Sequence, residues 1–111
     1  MERRRVVVTG LGAINAIGHN VDETWKSIKD GVCGIDEITN YDTELTRVKI
    51  AAEVKDFNPA DYLDKKAVRK MDRFTQFGVI AAKEAFKDAA LNIEEIDADR
   101  FGVVVSSGIG G

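Results

Sequence analysis

Hydrophobic positions form continuous runs in some parts of the chain and periodic patterns in others. Two continuous β-branched runs, Arg5–Thr9 and Phe101–Val105, each lead into glycines, which is typical of strands buried in a parallel sheet. A third run, Val48–Val54, alternates between apolar and polar positions and predicts an edge strand. No period is visible in residues 31–46, so we expect a loop there.

The first predicted helix spans Val21–Lys29. Asn20 precedes it as a cap, and Glu23, three residues later, completes a capping box. Gly31 marks its end. Its apolar side, which is expected to be buried, consists of Val21, Trp25 and Ile28.

Three more helices are predicted in the second half of the chain. The pair Asn58–Pro59 begins a short helix over Ala60–Leu63, because asparagine caps helices and proline suits their first turn. Asp64 caps a basic turn over Lys65–Lys70. The longest helix covers Asp72–Ala90. Small residues on its apolar side would let another backbone approach closely, and that side consists of Phe74, Phe77, Gly78, Ala81, Ala82, Ala85 and Ala89.

Strands separated by helices predict an α/β fold. Two apolar strands are too few to enclose a core, and the second runs directly into the glycine-rich segment Ser106–Gly111. We therefore expect residues 1–111 to be a truncated portion of a larger domain.

Composition narrows the functional classes. The 111 residues are 44% hydrophobic and 32% charged, which is typical of a folded, soluble chain. The net charge of -3 gives no reason to expect binding to nucleic acid or to a membrane surface. No segment approaches the roughly 18 consecutive apolar residues of a membrane span. The single cysteine excludes an internal disulfide and fits a cytoplasmic location.

Dinucleotide binding, nucleophilic catalysis and metal binding are three candidate chemistries, and the residues do not support any of them. The turn Thr9–Gly12 follows a strand, yet Asn15 stands where a dinucleotide-binding loop needs its third glycine. Cys33 is the only thiol and His19 the only imidazole, and neither lies in a pattern that indicates a nucleophile and its base. No clustered cysteines and histidines suggest a metal site.

A basic stretch between Asp64 and Arg73 contains five cations and two carboxylates in a chain that is acidic overall. Steps of three and four residues would place Lys66, Arg69 and Lys70, together with Arg73, on one side of a helix. Two interpretations remain open at this point. The stretch is either a solvated helix face or a docking patch for an acidic partner.

Four segments together resemble the β-ketoacyl-[acyl-carrier-protein] synthases, in order and with the family's spacing. They are Arg4–Gly12, Val54–Asn58, Arg69–Gln76 and Ser107–Gly111, and they are most similar to the elongating synthase II type. Two departures are visible. Asn15–Ala16 stands where the family usually has a small residue and proline, and Ser106 stands in place of a glycine. Both affect loop geometry rather than chemistry.

The resemblance implies a thiolase-like fold, a mixed sheet with packed helices, of which residues 1–111 are the incomplete amino-terminal portion. It also implies a cytoplasmic homodimer that works with acyl carrier protein and needs no cofactor or metal. In such enzymes a cysteine takes the acyl group as a thioester. Malonyl carrier protein then loses CO2, and the resulting carbanion attacks that thioester with the help of two histidines. We expect none of these three catalytic residues in this chain.

Two sites follow from the same resemblance. The carrier-protein docking surface is assigned to Lys65, Lys66, Arg69 and Lys70. Ile109, between two glycines, is assigned to the border of the acyl-chain pocket. The alternative hypothesis is a noncatalytic module that binds an acidic protein.

Overall fold

The computed structural model describes Met1 and residues 3–111. Its helices and strands, in chain order, are α1 (Val21–Lys29), β1 (Ile35–Glu37), β2 (Ile50–Ala52), α2 (Lys65–Val68) and α3 (Arg73–Asp88). Short 3-10 turns cover Pro59–Asp61, Ile93–Glu95 and Ala98–Arg100. In the part of the chain described here, no helix is long and apolar enough to cross a membrane.

The sheet of the described residues is a two-stranded antiparallel hairpin. Strand β1 pairs with β2 so that Ile35 lies opposite Ala52 and Glu37 opposite Ile50. The prediction of a strand within Val48–Val54 is confirmed by β2, although the strand is shorter. The prediction of a loop throughout residues 31–46 is wrong, because β1 lies there and obtains its regular backbone hydrogen bonds from a partner that is distant in sequence.

Neither apolar run at the ends of the chain forms a strand in the structure, so the prediction of strands at Arg5–Thr9 and Phe101–Val105 is wrong. Neither has a partner in a ladder within the described residues, and their side chains are exposed, as in Val104 at 95%. Apolar, β-branched sequence alone does not form a strand, because a strand requires a hydrogen-bonded neighbour. The expected parallel sheet is therefore not formed.

Helix α3 is the element on which the amino-terminal segment packs. A Cβ atom on Gly12 would overlap the Ala81 carbonyl oxygen and lie 2.9 Å from the Ala85 nitrogen. A Cβ on Gly10 would overlap the Ala85 carbonyl oxygen and lie 2.6 Å from the Ala89 nitrogen. The prediction that the small residues of α3 admit another backbone is confirmed.

The predicted helix starts are confirmed at three places. The Glu23 amide donates to Asn20 Oδ1 at 2.8 Å, and the amides of Ala60 and Lys66 donate to Asn58 and Asp64. Glu23 accepts from the amide of His19, one residue before the position that a capping box would use. Helix α1 ends as expected before Gly31, which has a φ of 69°.

Three predicted helices have different bounds in the structure. The turn at Pro59–Asp61 is a 3-10 turn because the Tyr62 amide donates to the Pro59 carbonyl, three residues back. Helix α2 ends at Val68 rather than at Lys70, and four residues, Arg69–Asp72, separate it from α3. Helix α3 spans Arg73–Asp88 rather than Asp72–Ala90.

The buried core of the described residues is small. Its apolar members are Leu63 and Ile80, at 7% and 6% exposure, and its polar member is Gln76, one turn before Ile80 on α3. The prediction that α1 buries Val21, Trp25 and Ile28 is wrong, since Trp25 is 58% and Ile28 54% exposed and Val21 is only half-buried. The radius of gyration, 17.4 Å, exceeds the roughly 13 Å expected of a compact chain of this length.

Candidate functional site

The basic patch, defined as Lys65, Lys66, Arg69 and Lys70, lies on α2 and the turn that follows it. All four side chains are exposed. Within the described residues the one ion pair joins Lys55 to Asp36, so no described carboxylate lies within ion-pair distance of the patch. The patch therefore presents to solvent four positive charges that form no ion pair within the described residues.

The turn that carries Arg69 and Lys70 is tied to α3 by Gln76. The Nε2 atom of this side chain donates to the carbonyl oxygens of Val68 at 3.3 Å and Met71 at 3.1 Å. These two carbonyls lie on either side of the two cations in sequence. Sequence analysis missed this role, although Gln76 belongs to the segment Arg69–Gln76 that carried the family resemblance.

Arg73 does not share a helix side with the patch, as the three- and four-residue spacing predicted, because α2 and α3 are separate helices. Its guanidinium lies 5.4 Å from the ring centre of Phe57 and 5.2 Å from that of Phe77. It also donates to the Val54 carbonyl at 2.8 Å. Arg73 therefore joins the segment before the 3-10 turn to α3 and is not part of the patch.

His19 has a structural environment. Its Nε2 lies 2.7 Å from the Lys55 carbonyl oxygen, and its ring meets the edge of Phe57 at a centroid distance of 6.0 Å. Phe57 in turn contacts Tyr62 and Phe77, at 5.8 and 5.1 Å between ring centres. The imidazole thus holds the loop before α1 against this aromatic cluster.

Two carboxylates of α3 fix the same loop. Glu84 accepts from the amides of Ala13 at 2.9 Å and Val21 at 2.8 Å, one with each oxygen. Asp88 accepts from the amide of Leu11 at 2.9 Å. These bonds satisfy backbone donors that have no partner in regular structure. The sequence gave no sign of them, because 63 to 77 residues separate donor from acceptor.

An apolar cavity of about 550 Å³ lies between α3 and the carboxyl-terminal segment. Its lining includes Phe74, Gly78, Ala82, Phe86, Val103 and Val105. Ile109, the predicted pocket residue, does not line this cavity, and its side chain is fully exposed. The cavity therefore reaches Ser106 and Ser107 of the glycine-rich segment but does not reach Ile109.

Cys33 is free and exposed. Its sulfur lies 3.9 Å from the carbonyl oxygen of Ile35, and no imidazole or carboxylate in the described residues forms a hydrogen bond with it. Nor do the described residues contain a group of three or more His, Cys, Asp or Glu side chains that could hold a metal ion.

Charged groups on the β1–β2 hairpin stabilise one another. Lys55 Nζ donates to Asp36 at 2.7 Å, which lowers the pKa of Asp36 and raises the pKa of Lys55. The Glu53 carboxylate accepts from the amide and hydroxyl of Thr39 and from the amide of Asn40, and these bonds lower the pKa of Glu53. The ionised forms thus join residues in and just after β1 to residues that follow β2.

Comparison with known proteins decides the family. Residues 3–111 match the family described as "Beta-ketoacyl synthase, N-terminal domain". The chain belongs to the β-ketoacyl synthase family. It is 54% identical, over 110 residues, to 3-oxoacyl-[acyl-carrier-protein] synthase 2 of Staphylococcus aureus strain COL. It is 46% identical, over 111 residues, to the enzyme of that name from Coxiella burnetii.

The ketoacyl synthase chain spans about a quarter of the length of these relatives, although they match 99% and 100% of it. Solved structures give the same result. The ishigamide ketosynthase/chain length factor superimposes with a TM-score of 0.75 at 38% identity, covering 86% of this chain and 24% of that one. A type II polyketide acyl-carrier protein in complex with its ketosynthase gives 0.64 at 28% identity, covering 86% and 25%.

Proposed function

We propose that residues 1–111 are the amino-terminal part of an elongating β-ketoacyl-[acyl-carrier-protein] synthase of fatty-acid synthesis. The full-length enzyme condenses malonyl-[acyl carrier protein] with a fatty acyl group delivered as its carrier-protein thioester, and releases CO2 and free carrier protein. The support is identity of 46–54% to synthase 2 enzymes over practically the whole chain. We also propose that the enzyme acts as a cytoplasmic homodimer.

The chemistry is proposed to reside outside residues 1–111. The family's reaction uses one cysteine and two histidines, whereas this chain contains one of each. Cys33 is exposed, and His19 is bonded to a backbone carbonyl. We expect the purified chain to show no decarboxylation of malonyl carrier protein and no acyl transfer. Turnover that is lost on Cys33→Ala would contradict this assignment.

The basic patch is proposed to dock acyl carrier protein. The observation that carries the proposal is the group of four exposed cations without a carboxylate partner. A strongly acidic carrier would be steered and oriented by such a patch. A similar solved structure is itself a ketosynthase with its acyl-carrier protein, which supports this class of partner.

Charge reversal in the full-length synthase tests the docking proposal. Arg69→Glu with Lys70→Glu should raise the KM for carrier-bound substrate several-fold, because each exposed pair contributes about 0.2–1 kcal/mol. The reaction with a small thioester lacking the carrier should be nearly unchanged. Lys26→Glu with Lys29→Glu makes the same change of charge on α1 and should leave both substrates unaffected. Equal losses for both substrates in the patch variant would show that the patch is structural.

Ile109 is proposed to border the acyl-chain pocket of the full-length enzyme. Its side chain is free to meet a ligand, and it lies between glycines in a loop that follows an apolar segment. Ile109→Phe should discriminate against long acyl primers while sparing short ones, because each methylene denied burial loses about 0.8 kcal/mol. A uniform loss across chain lengths would contradict the assignment.

A further inference from the structure

Gln76 is the one polar side chain that is buried in residues 1 and 3–111, with 8% of its surface exposed. A primary amide carries two N–H donors on one nitrogen. In Gln76 this nitrogen lies within hydrogen-bond distance of two backbone carbonyls, those of Val68 and Met71. The Gln76 side chain thereby links α3 to the end of α2.

The position of this contact matters because α2 has four residues. Isolated helices shorter than about 12 residues are marginal in water, so α2 depends on contacts to other elements. The last carbonyls of a helix have no partner within the helix. Gln76 supplies a side-chain donor to the Met71 carbonyl just beyond this end and a second donor to the Val68 carbonyl, which also accepts from the Met71 amide at 3.3 Å.

Arg69 and Lys70 lie between those two carbonyls. Their amides bond to the carbonyls of Lys65 at 3.4 Å and Ala67 at 3.0 Å, so the turn is closed on one side by its own backbone. Gln76 closes it on the other side. The backbone that carries half of the basic patch is therefore held by its own amide bonds and by one buried side-chain amide that ties it to α3, while the charged side chains remain in solvent.

We propose that Gln76 is a positioning residue for carrier-protein docking. It holds residues 68–71 in one conformation, so that Arg69 and Lys70 present their charges in a fixed arrangement. A preformed arrangement binds more tightly because less ordering is needed on association. This inference rests on the proposed docking function and adds a residue that does not touch the partner.

Gln76→Met in the full-length synthase tests it, because methionine is similar in size but has no N–H donor. The KM for carrier-bound substrate should rise about three- to tenfold, the range expected for two misplaced surface charge pairs. The kcat, and the reaction with a small thioester that lacks the carrier, should stay within about twofold of the original enzyme.

The matched control is Ile80→Val. Ile80 is buried on the same helix one turn further on, and the change removes one methylene without touching α2. It should leave the KM for carrier-bound substrate unchanged. A rise in KM as large as that of Gln76→Met would show that general loosening of α3 is responsible, and would overturn the inference.

A double-mutant cycle separates this inference from the docking proposal. In a background with Arg69→Glu and Lys70→Glu, Gln76→Met should no longer change the KM, because the charges it positions are gone. If Gln76→Met raised the KM by the same factor in both backgrounds, the positioning role would be overturned and the docking proposal would stand. If the charge reversal alone does not change the KM, the docking proposal fails and the positioning role fails with it.

Discussion

The two sides of α3 contact the ends of the chain in different ways. On one side the loop over residues 10–21 is held by three carboxylate hydrogen bonds and by glycine backbone packed on the helix. On the other side residues 101–107 lie beside an apolar cavity, and no hydrogen bond joins them to α3 within the described residues. The comparison shows that directional hydrogen bonds fix residues 10–21 on the helix. The hydrophobic sequence of residues 101–105, which has no such bonds to α3, leaves these residues exposed.

The largest expected change in stability comes from shortening a buried aliphatic side chain, and shortening an exposed one is its control. Ile80→Ala should lower the free energy of unfolding of the 111-residue chain by about 2–5 kcal/mol, because it leaves a cavity in a small core. Val104→Ala should change it by less than about 0.5 kcal/mol, since Val104 is exposed. Denaturant titration followed by circular dichroism measures both. Equal losses would mean that residues 101–105 are buried.

The glycine contact gives the next largest effect. Gly12→Ala should destabilise the chain by about 1–3 kcal/mol, because the added methyl group meets the backbone of Ala81. Gly102→Ala is the matched control, since a Cβ there has nothing within 4 Å. Thermal unfolding of both variants provides the comparison, and a similar loss at both positions would contradict the close approach of residues 10–12 to α3.

The carboxylate contact can be tested with a single atom exchange. Glu84→Gln keeps the shape of the side chain but directs an amide N–H₂ at one of the two backbone donors. It should lower the free energy of unfolding by about 1–3 kcal/mol. Glu94→Gln changes an exposed side chain that makes no described hydrogen bond and should be neutral. Amide hydrogen exchange at Ala13 and Val21 should quicken in the first variant alone. Unchanged exchange would show that Glu84 does not hold the loop.

The smallest effect is the pH dependence of the hairpin. Asp36 and Glu53 have lowered pKa values because their carboxylates accept hydrogen bonds from Lys55 and Thr39. Their contribution is present above the unfolded pKa values and is lost as the pH falls through the folded ones, so the hairpin should weaken below about pH 4. Amide exchange in β1 between pH 6 and 3 would show this. Asp36→Asn should flatten the profile, whereas Glu37→Gln should leave it unchanged.

The features that sequence analysis predicted correctly are decided within a few residues. The caps at Asn20, Asn58 and Asp64 depend on side chains that bond to amides two or three positions away. The features it missed join distant positions. Strand β1 needs β2, and Glu84 reaches amides at positions 13 and 21. The strands predicted at both ends failed for the same reason, since no partner for them lies within the described residues.

The predicted site shows the same division. Charge identified the basic stretch and the family resemblance selected the four members of the basic patch, all of which are exposed in the structure. Spacing was misleading for Arg73, which was expected on the same helix side but lies against two phenylalanine rings that contact each other. Charge and spacing also gave no sign that Gln76, a neutral amide, bonds to the turn that carries Arg69 and Lys70. The two carbonyl groups that Gln76 reaches are brought to it by the fold, so the sequence pattern does not reveal them.

The contact between Gly12 and α3 has a consequence for genetic suppression. The three nearest atoms to a Cβ at this position belong to the backbone of Ala81 and Ala85, not to their side chains. Trimming either alanine to glycine would therefore not make room for a larger residue at position 12. In a selection for second-site revertants of Gly12 variants, compensating changes should be absent from positions 81 and 85. They should arise instead where they add stability elsewhere or move the helix as a whole.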